Sequence, residues 1–165
     1  MSMSYRVRAL LVGAALLGVA TPGRADGPFQ FHSLTPCRIV DTRLAGTTVG
    51  TYGGILSSGV EKVYPIQGNC GVPVGAKAAT LNVTAVTPTN QGRFTVYPSG
   101  IATPTVSTIN FPPGTTALAN GAIVPLSAGV ACATFTPATC DLAVMAVVVG
   151  TGQAHLVLDV TGYFQ

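Results

Sequence analysis

Leu142-Ala143-Val144-Met145-Ala146-Val147-Val148-Val149, followed after Gly150-Thr151-Gly152 by His155-Leu156-Val157-Leu158-Asp159-Val160, decides the fold class. The first stretch is apolar at every position and ends on a Gly-Thr-Gly turn. A short, unbroken, Val-rich run of this kind reads as a central strand covered on both faces. The second alternates: Leu156, Leu158 and Val160 share one face, and His155, Val157 and Asp159 the other. Leu81-Asn82-Val83-Thr84-Ala85-Val86 repeats that pattern, with Leu81, Val83 and Ala85 opposed to Asn82, Thr84 and Val86.

Working outward, the chain is a series of such runs punctuated by Gly, Pro and Asn. Strands are expected at Phe29–Ser33, Arg38–Thr42, Glu61–Ile66, Ala78–Val86, Phe94–Tyr97, Val106–Asn110, Ala122–Leu126, Gly129–Phe135, Leu142–Val149 and His155–Phe164. Turns are expected at residues 87–92, 97–100, 112–114 and 150–152. Strands this short and this regularly spaced point to an all-β, single-domain antiparallel β-sandwich, jelly-roll or Greek-key-like, with a small β-barrel as the alternative. The longest expected connection, the Gly/Thr-rich stretch Ala45–Gly59, reads either as a contact surface carrying Tyr52 or as a disordered link.

The N-terminus has a different character. Arg6 and Arg8 precede the apolar run Ala9–Ala20, and Gly23-Arg24-Ala25 places small residues before a cut ahead of Asp26, the pattern of a secretory signal peptide over residues 1–25. The expected domain is therefore 26–165. The chain has eight Lys and Arg against five Asp and Glu. Without Arg6, Arg8 and Arg24 the balance is Arg38, Arg43, Lys62, Lys77 and Arg93 against Asp26, Asp41, Glu61, Asp141 and Asp159. A domain this close to neutral offers no electrostatic footprint for nucleic acid or an anionic membrane. No second apolar span predicts stable membrane insertion once the leader is removed. Few charges also leave little resistance to self-association.

Cys37, Cys70, Cys132 and Cys140 allow three pairings, and export favours disulfides over free thiols. The preferred pairs are Cys37–Cys70 and Cys132–Cys140, the latter flanking a Thr-Pro segment that turns the chain back. No C-x-x-C and no nearby His pair supports zinc.

Several segments follow one another along the chain: Pro36-Cys37-Arg38-Ile39-Val40-Asp41-Thr42-Arg43, Cys70-Gly71-Val72-Pro73, Ala79-Thr80-Leu81-Asn82-Val83-Thr84, Thr95-Val96-Tyr97-Pro98-Ser99-Gly100, Ser107-Thr108-Ile109-Asn110, Ala119-Asn120-Gly121, and Leu158-Asp159-Val160-Thr161-Gly162-Tyr163-Phe164. Together they resemble a family of exported bacterial all-β domains with a CR-x-x-DTR start and a DV-x-GYF end. That resemblance covers nearly all of residues 26–165. It implies a secreted β domain and supports the Cys37–Cys70 pair, and it carries no established biochemical activity with it.

The polar residues of these segments read first as structure. An Asp41 or Asp159 carboxylate beside Arg38 or Arg43 forms a hydrogen-bonded ion pair, and Asn82, with Asn110 and Asn120, satisfies backbone groups where strands bend or end. A calcium site on Asp41 and Asp159 is the weaker reading, because the chain has no D-x-D-x-D cluster. Catalysis is not expected. His32 and His155 are the only histidines, there is no G-x-S-x-G elbow, and His155 and Asp159 lie more than about 10 Å apart along one strand.

These features lead to a non-catalytic secreted or cell-surface structural or adhesive domain, without cofactor or metal, that self-assembles through strand edges. The periplasm is the other compartment compatible with the leader. The segment Phe29–His32 is the expected exchanged strand. The alternative is a carbohydrate-binding module. With no Trp in the chain, Tyr52, Tyr64, Tyr97 and Tyr163 would have to supply its sugar-stacking rings, with Tyr52 as the leading ligand contact. The expected partner is a second copy, or a surface polysaccharide or protein.

Overall fold

The computed structural model describes residues 27–128 and 140–165. Among them are nine strands and no helix: β1 (Phe31–Asp41), β2 (Leu56–Ser57), β3 (Glu61–Tyr64), β4 (Ala78–Val86), β5 (Gly92–Pro98), β6 (Ile109–Phe111), β7 (Ala117–Pro125), β8 (Leu142–Val148) and β9 (Gln153–Phe164). One sheet has the order β1-β9-β4-β7, with β2 also on β9, and the other has the order β3-β8-β5-β6.

Every pairing is antiparallel, and the pairs are nested. The first strand lies on the last, β3 on β8, β4 on β7 and β5 on β6. The chain is thus one long antiparallel ribbon, folded so that successive pairs fall alternately in the two sheets. Pairings β4–β9 and β5–β8 seam the roll. This is the jelly-roll arrangement. Both sheets are open, so the barrel alternative is set aside.

The alternation read from the sequence packs the inner faces. Leu81, Val83 and Ala85 on β4 and Leu156, Leu158 and Val160 on β9 are buried against Phe94, Val96, Leu142 and Val144 of the other sheet. Phe94 and Phe111 meet edge-on, with ring centroids 5.1 Å apart. Burying each side chain of this size contributes roughly 1.5–3 kcal/mol. As expected, β8 is central, lying between β3 and β5.

Two strand expectations need correction, and two further expectations fall wholly or partly outside the described residues. Phe29–Ser33 and Arg38–Thr42 are largely one strand, β1, whose register shifts twice, between Ser33 and Cys37 and between Arg38 and Val40. Pro36 has no N–H for a ladder, and the first irregularity spans it. Strand β7 starts at Ala117, five residues before the expected Ala122, because Ala-Leu-Ala-Asn-Gly carries no strong strand signal of its own. The expected strand Gly129–Phe135 lies outside the described residues. One disulfide is found among the described residues where two were expected: Cys37–Cys70, with Cα atoms 5.7 Å apart. Cys132 lies outside them, while Cys140 is buried and no described cysteine is a free thiol.

The connection Ala45–Gly59 is ordered by its own backbone. Asp41 N–H donates to Thr51 O at 2.7 Å, Gly50 N–H to Ile39 O at 2.7 Å, Gly53 N–H to Gly46 O at 2.9 Å and Gly54 N–H to Thr42 O at 3.1 Å. Asp41 faces Val157 of β9, and Leu56 of β2 faces Ala154, so the chain leaves β9, loops out and returns to it. It then steps to the other sheet, Ser58 N–H donating to Gly152 O and Gly59 N–H to Ala146 O.

Candidate functional site

Three places in the fold collect the residues singled out above. The first is an ion-pair network around the end of β1. Arg38 Nε donates to Asp159 Oδ1 at 2.7 Å and Arg38 Nη2 to Asp159 Oδ2 at 3.2 Å. Asp41 is the buried member. It accepts from Arg43 Nη2 at 2.6 Å, Arg43 Nε at 2.8 Å, the Arg43 backbone N–H at 3.2 Å and Arg38 Nη1 at 3.4 Å. The Arg43 guanidinium, with Arg38 behind it, holds the Asp41 carboxyl below the usual carboxylate range.

Strand register extends this network into a row across the outer face of the sheet: Arg38 faces Asp159, Asp159 faces Asn82, and Asn82 faces Gly121. Asn82 shares the row without closing the network; its Nδ2 reaches Thr84 Oγ1 at 3.5 Å. Asn120 does satisfy a backbone group, its Nδ2 donating to Thr108 O at 2.8 Å. Asn110 donates instead to the Ser107 hydroxyl at 3.0 Å. His155 Nδ1 lies 3.1 Å from Thr42 Oγ1, whose oxygen also accepts from the Leu156 backbone N–H at 2.9 Å.

The second place is a cleft of about 360 Å³ between the loop and β3, lined by Gly46, Thr47, Tyr52, Gly53 and Gly54 on one side and Glu61 to Tyr64 on the other. Tyr52 sits at φ 56°, a left-handed backbone conformation that a bulky side chain adopts only under constraint. Its ring meets Tyr64 edge-on, centroids 5.9 Å apart. Burial pushes both phenols above their ordinary value, Tyr64 the more strongly. Glu61 accepts a hydrogen bond from the Tyr97 hydroxyl. The sequence singled out Tyr52 and Tyr64 separately. Their convergence, with Glu61 and Lys62 beside them, follows from the loop folding back over the β3 edge, which no local pattern signals.

The third place is the outer edge of β7, which pairs with β4 over nine consecutive residues without a register shift. Nearly all of β7 is exposed, Leu118 and Ile123 included, with Ile123 at 64 %. Phe29–His32, the expected exchanged strand, lies along its own chain. Gln30 and Gln165 exchange both backbone hydrogen bonds, at 2.8 and 3.1 Å, and Phe31 packs on Phe164 with centroids 5.3 Å apart.

Among the described residues, no group of three or more His, Cys, Asp or Glu comes together in a way that would hold a metal ion. Compared with protein-family models, with curated proteins and with solved structures, the chain matches none.

Proposed function

We propose that this chain is a non-catalytic, exported structural or adhesive domain that associates with a second copy through the edge of β7. The observation that carries this reading is the contrast between β7 and the other three sheet edges. An open edge presents unpaired N–H and C=O groups, and proteins guard such edges with short strands, charges, proline or bulges. Strand β1 has Pro36, two register shifts and a disulfide to the neighbouring loop. Strand β3 is four residues long and includes Glu61 and Lys62, and β6 is three residues long. Strand β7 has nine residues, no charge, no bulge and no proline before its last position.

Two β7 strands related by a twofold axis run antiparallel and would pair edges that no described strand occupies. Such a contact is self-complementary and closes as a dimer. Export is supported by the leader-like N-terminus and by the Cys37–Cys70 bridge, which suits an oxidising compartment. No helix among the described residues is long and apolar enough to cross a membrane.

Sedimentation velocity over a wide concentration range tests the proposal. The expected result is concentration-dependent association that Ile123→Lys and Ala119→Lys abolish without changing the circular dichroism or the melting temperature. A wild-type protein that stays monomeric throughout, or lysine variants that associate as before, would sink it.

A further inference from the structure

The cleft beside Tyr52 has no part in edge pairing, and it is built more carefully than a connecting loop requires. Gly53 is placed where any Cβ would lie 2.5 Å from Leu44 O and 3.0 Å from Ala45 Cα, so the loop closes on itself only with glycine there. The result is an Ω-like loop held by its own hydrogen bonds, with an aromatic side chain at the cleft in a strained backbone conformation.

Tyr64 supplies the second observation. Its residue is 3 % exposed and packs in the main core, yet no described residue hydrogen-bonds its hydroxyl. Buried polar groups without a partner are rare enough to need a reason. This hydroxyl is not sealed in: the one polar side-chain atom that is both fully buried and unpartnered among the described residues is Arg93 Nε. Tyr64 lines the cleft, and with no described residue bonding it and some solvent contact kept, its hydroxyl is open to a ligand there. Burial keeps it protonated and therefore a donor.

The lining selects the ligand class. Glu61 and Lys62 are adjacent and opposite in charge, which favours neither an anion nor a cation. The lining combines Thr47 and Lys62 with the aromatic carbon of Tyr52 and Tyr64, which disfavours a purely apolar guest. An aromatic ring beside a hydroxyl donor and the Lys62 ammonium, which shares the Tyr64 face of β3, matches a hydroxyl-rich ring with one apolar face. A volume of about 360 Å³ lies at the small end of ligand sites.

We infer that the cleft between the Gly46–Gly54 loop and β3 binds a neutral saccharide, with Tyr52 as the stacking surface and the Tyr64 hydroxyl as a hydrogen-bond donor. The bound sugar is either a free monosaccharide or a unit of a longer chain. Both present the same ring chemistry to the cleft.

Amide NMR titration of the oxidised protein with glucose, galactose, mannose, N-acetylglucosamine and their linear oligomers tests this. The expected shifts cluster at Thr47, Tyr52 to Gly54 and Glu61 to Tyr64. Tighter binding of oligomers would identify a polysaccharide unit, and equal binding a free sugar. Tyr64→Phe keeps the core ring and removes only the hydroxyl, so it should melt like the wild type and bind about tenfold more weakly. Tyr52→Ala should bind more weakly still. The inference is overturned by no perturbation from any of these sugars, by shifts mapping to the Arg38–Asp159 face instead, or by Tyr64→Phe binding as the wild type does.

Discussion

Arg38 on β1 and Asp159 on β9 stand directly opposite each other and share two hydrogen bonds, at 2.7 and 3.2 Å. Yet Asp41, not Asp159, is the more consequential carboxylate. The Arg38 side chain is 45 % exposed and Asp159 19 %, whereas Asp41 is 2 % exposed. Solvent weakens the first pair, so Asp159→Ala should cost about 0.5–1 kcal/mol in denaturant unfolding. Asp41→Ala removes the acceptor of two arginines from a buried position and should cost about 3 kcal/mol. Equal losses at the two positions would contradict this ordering.

The same carboxylate sets a pH dependence. Hydrogen bonding to Arg43 lowers the folded-state value of Asp41 below its unfolded value. Its contribution is therefore complete above the ordinary carboxylate range and is lost as pH falls through the lowered value. Asp141 works in the opposite sense. Burial raises its value, although the Ile66 and Gln67 amides that donate to it at 2.7 and 2.5 Å hold it back. Its contribution is present at low pH and is lost as pH rises through the raised value, so it offsets part of the acid loss. A melting-temperature profile from neutral to strongly acid pH should fall more gently in Asp41→Asn than in the wild type.

Cys37 ties β1 to the loop after β3 by pairing with Cys70, across 33 residues of sequence. Closing a loop of that length in the unfolded chain corresponds to about 3.5 kcal/mol by the loop-entropy model. The Cys37→Ser/Cys70→Ser double variant should lose on the order of 10 °C in melting temperature. A loss of only a degree or two would mean that the loop is held mainly by its other contacts.

Where strands bury an inner face, the sequence is readable. Leu81, Val83 and Ala85 alternate with Asn82 and Thr84, and the structure buries the first set. The Arg38, Asp41, Arg43 and Asp159 grouping was legible too, because charges are scarce enough that few pairings exist. Strand β7 was not. Its first five residues, Ala117 to Gly121, are exposed, so burial leaves no period in their composition; they are a strand because β4 offers a paired edge. The ordered Gly46–Gly54 loop was invisible for a related reason. Its stability lies in backbone hydrogen bonds and in the absence of a Cβ at Gly53, and a Gly/Thr-rich sequence can equally serve a loose link.

That last point is open to test, because two glycines in the fold differ sharply in what surrounds them. A Cβ at Gly53 would sit 2.5 Å from the carbonyl oxygen of Leu44, backbone that cannot swing aside as a side-chain tip would. Gly121 on β7 has nothing within 4 Å of its would-be Cβ. Gly53→Ala should therefore force the loop apart at a cost of about 2 kcal/mol, of the size seen for overpacked interiors. Gly121→Ala should be tolerated and should gain slightly, since alanine loses less backbone freedom than glycine on folding. Hydrogen exchange gives the local reading. The Gly53 and Gly54 amides, bonded to Gly46 O and Thr42 O, should lose protection in Gly53→Ala, while the β4 and β9 amides keep theirs. If both substitutions prove equally mild, the loop yields more easily than its hydrogen bonds imply, and the cleft it frames is a weaker candidate for a preorganised site.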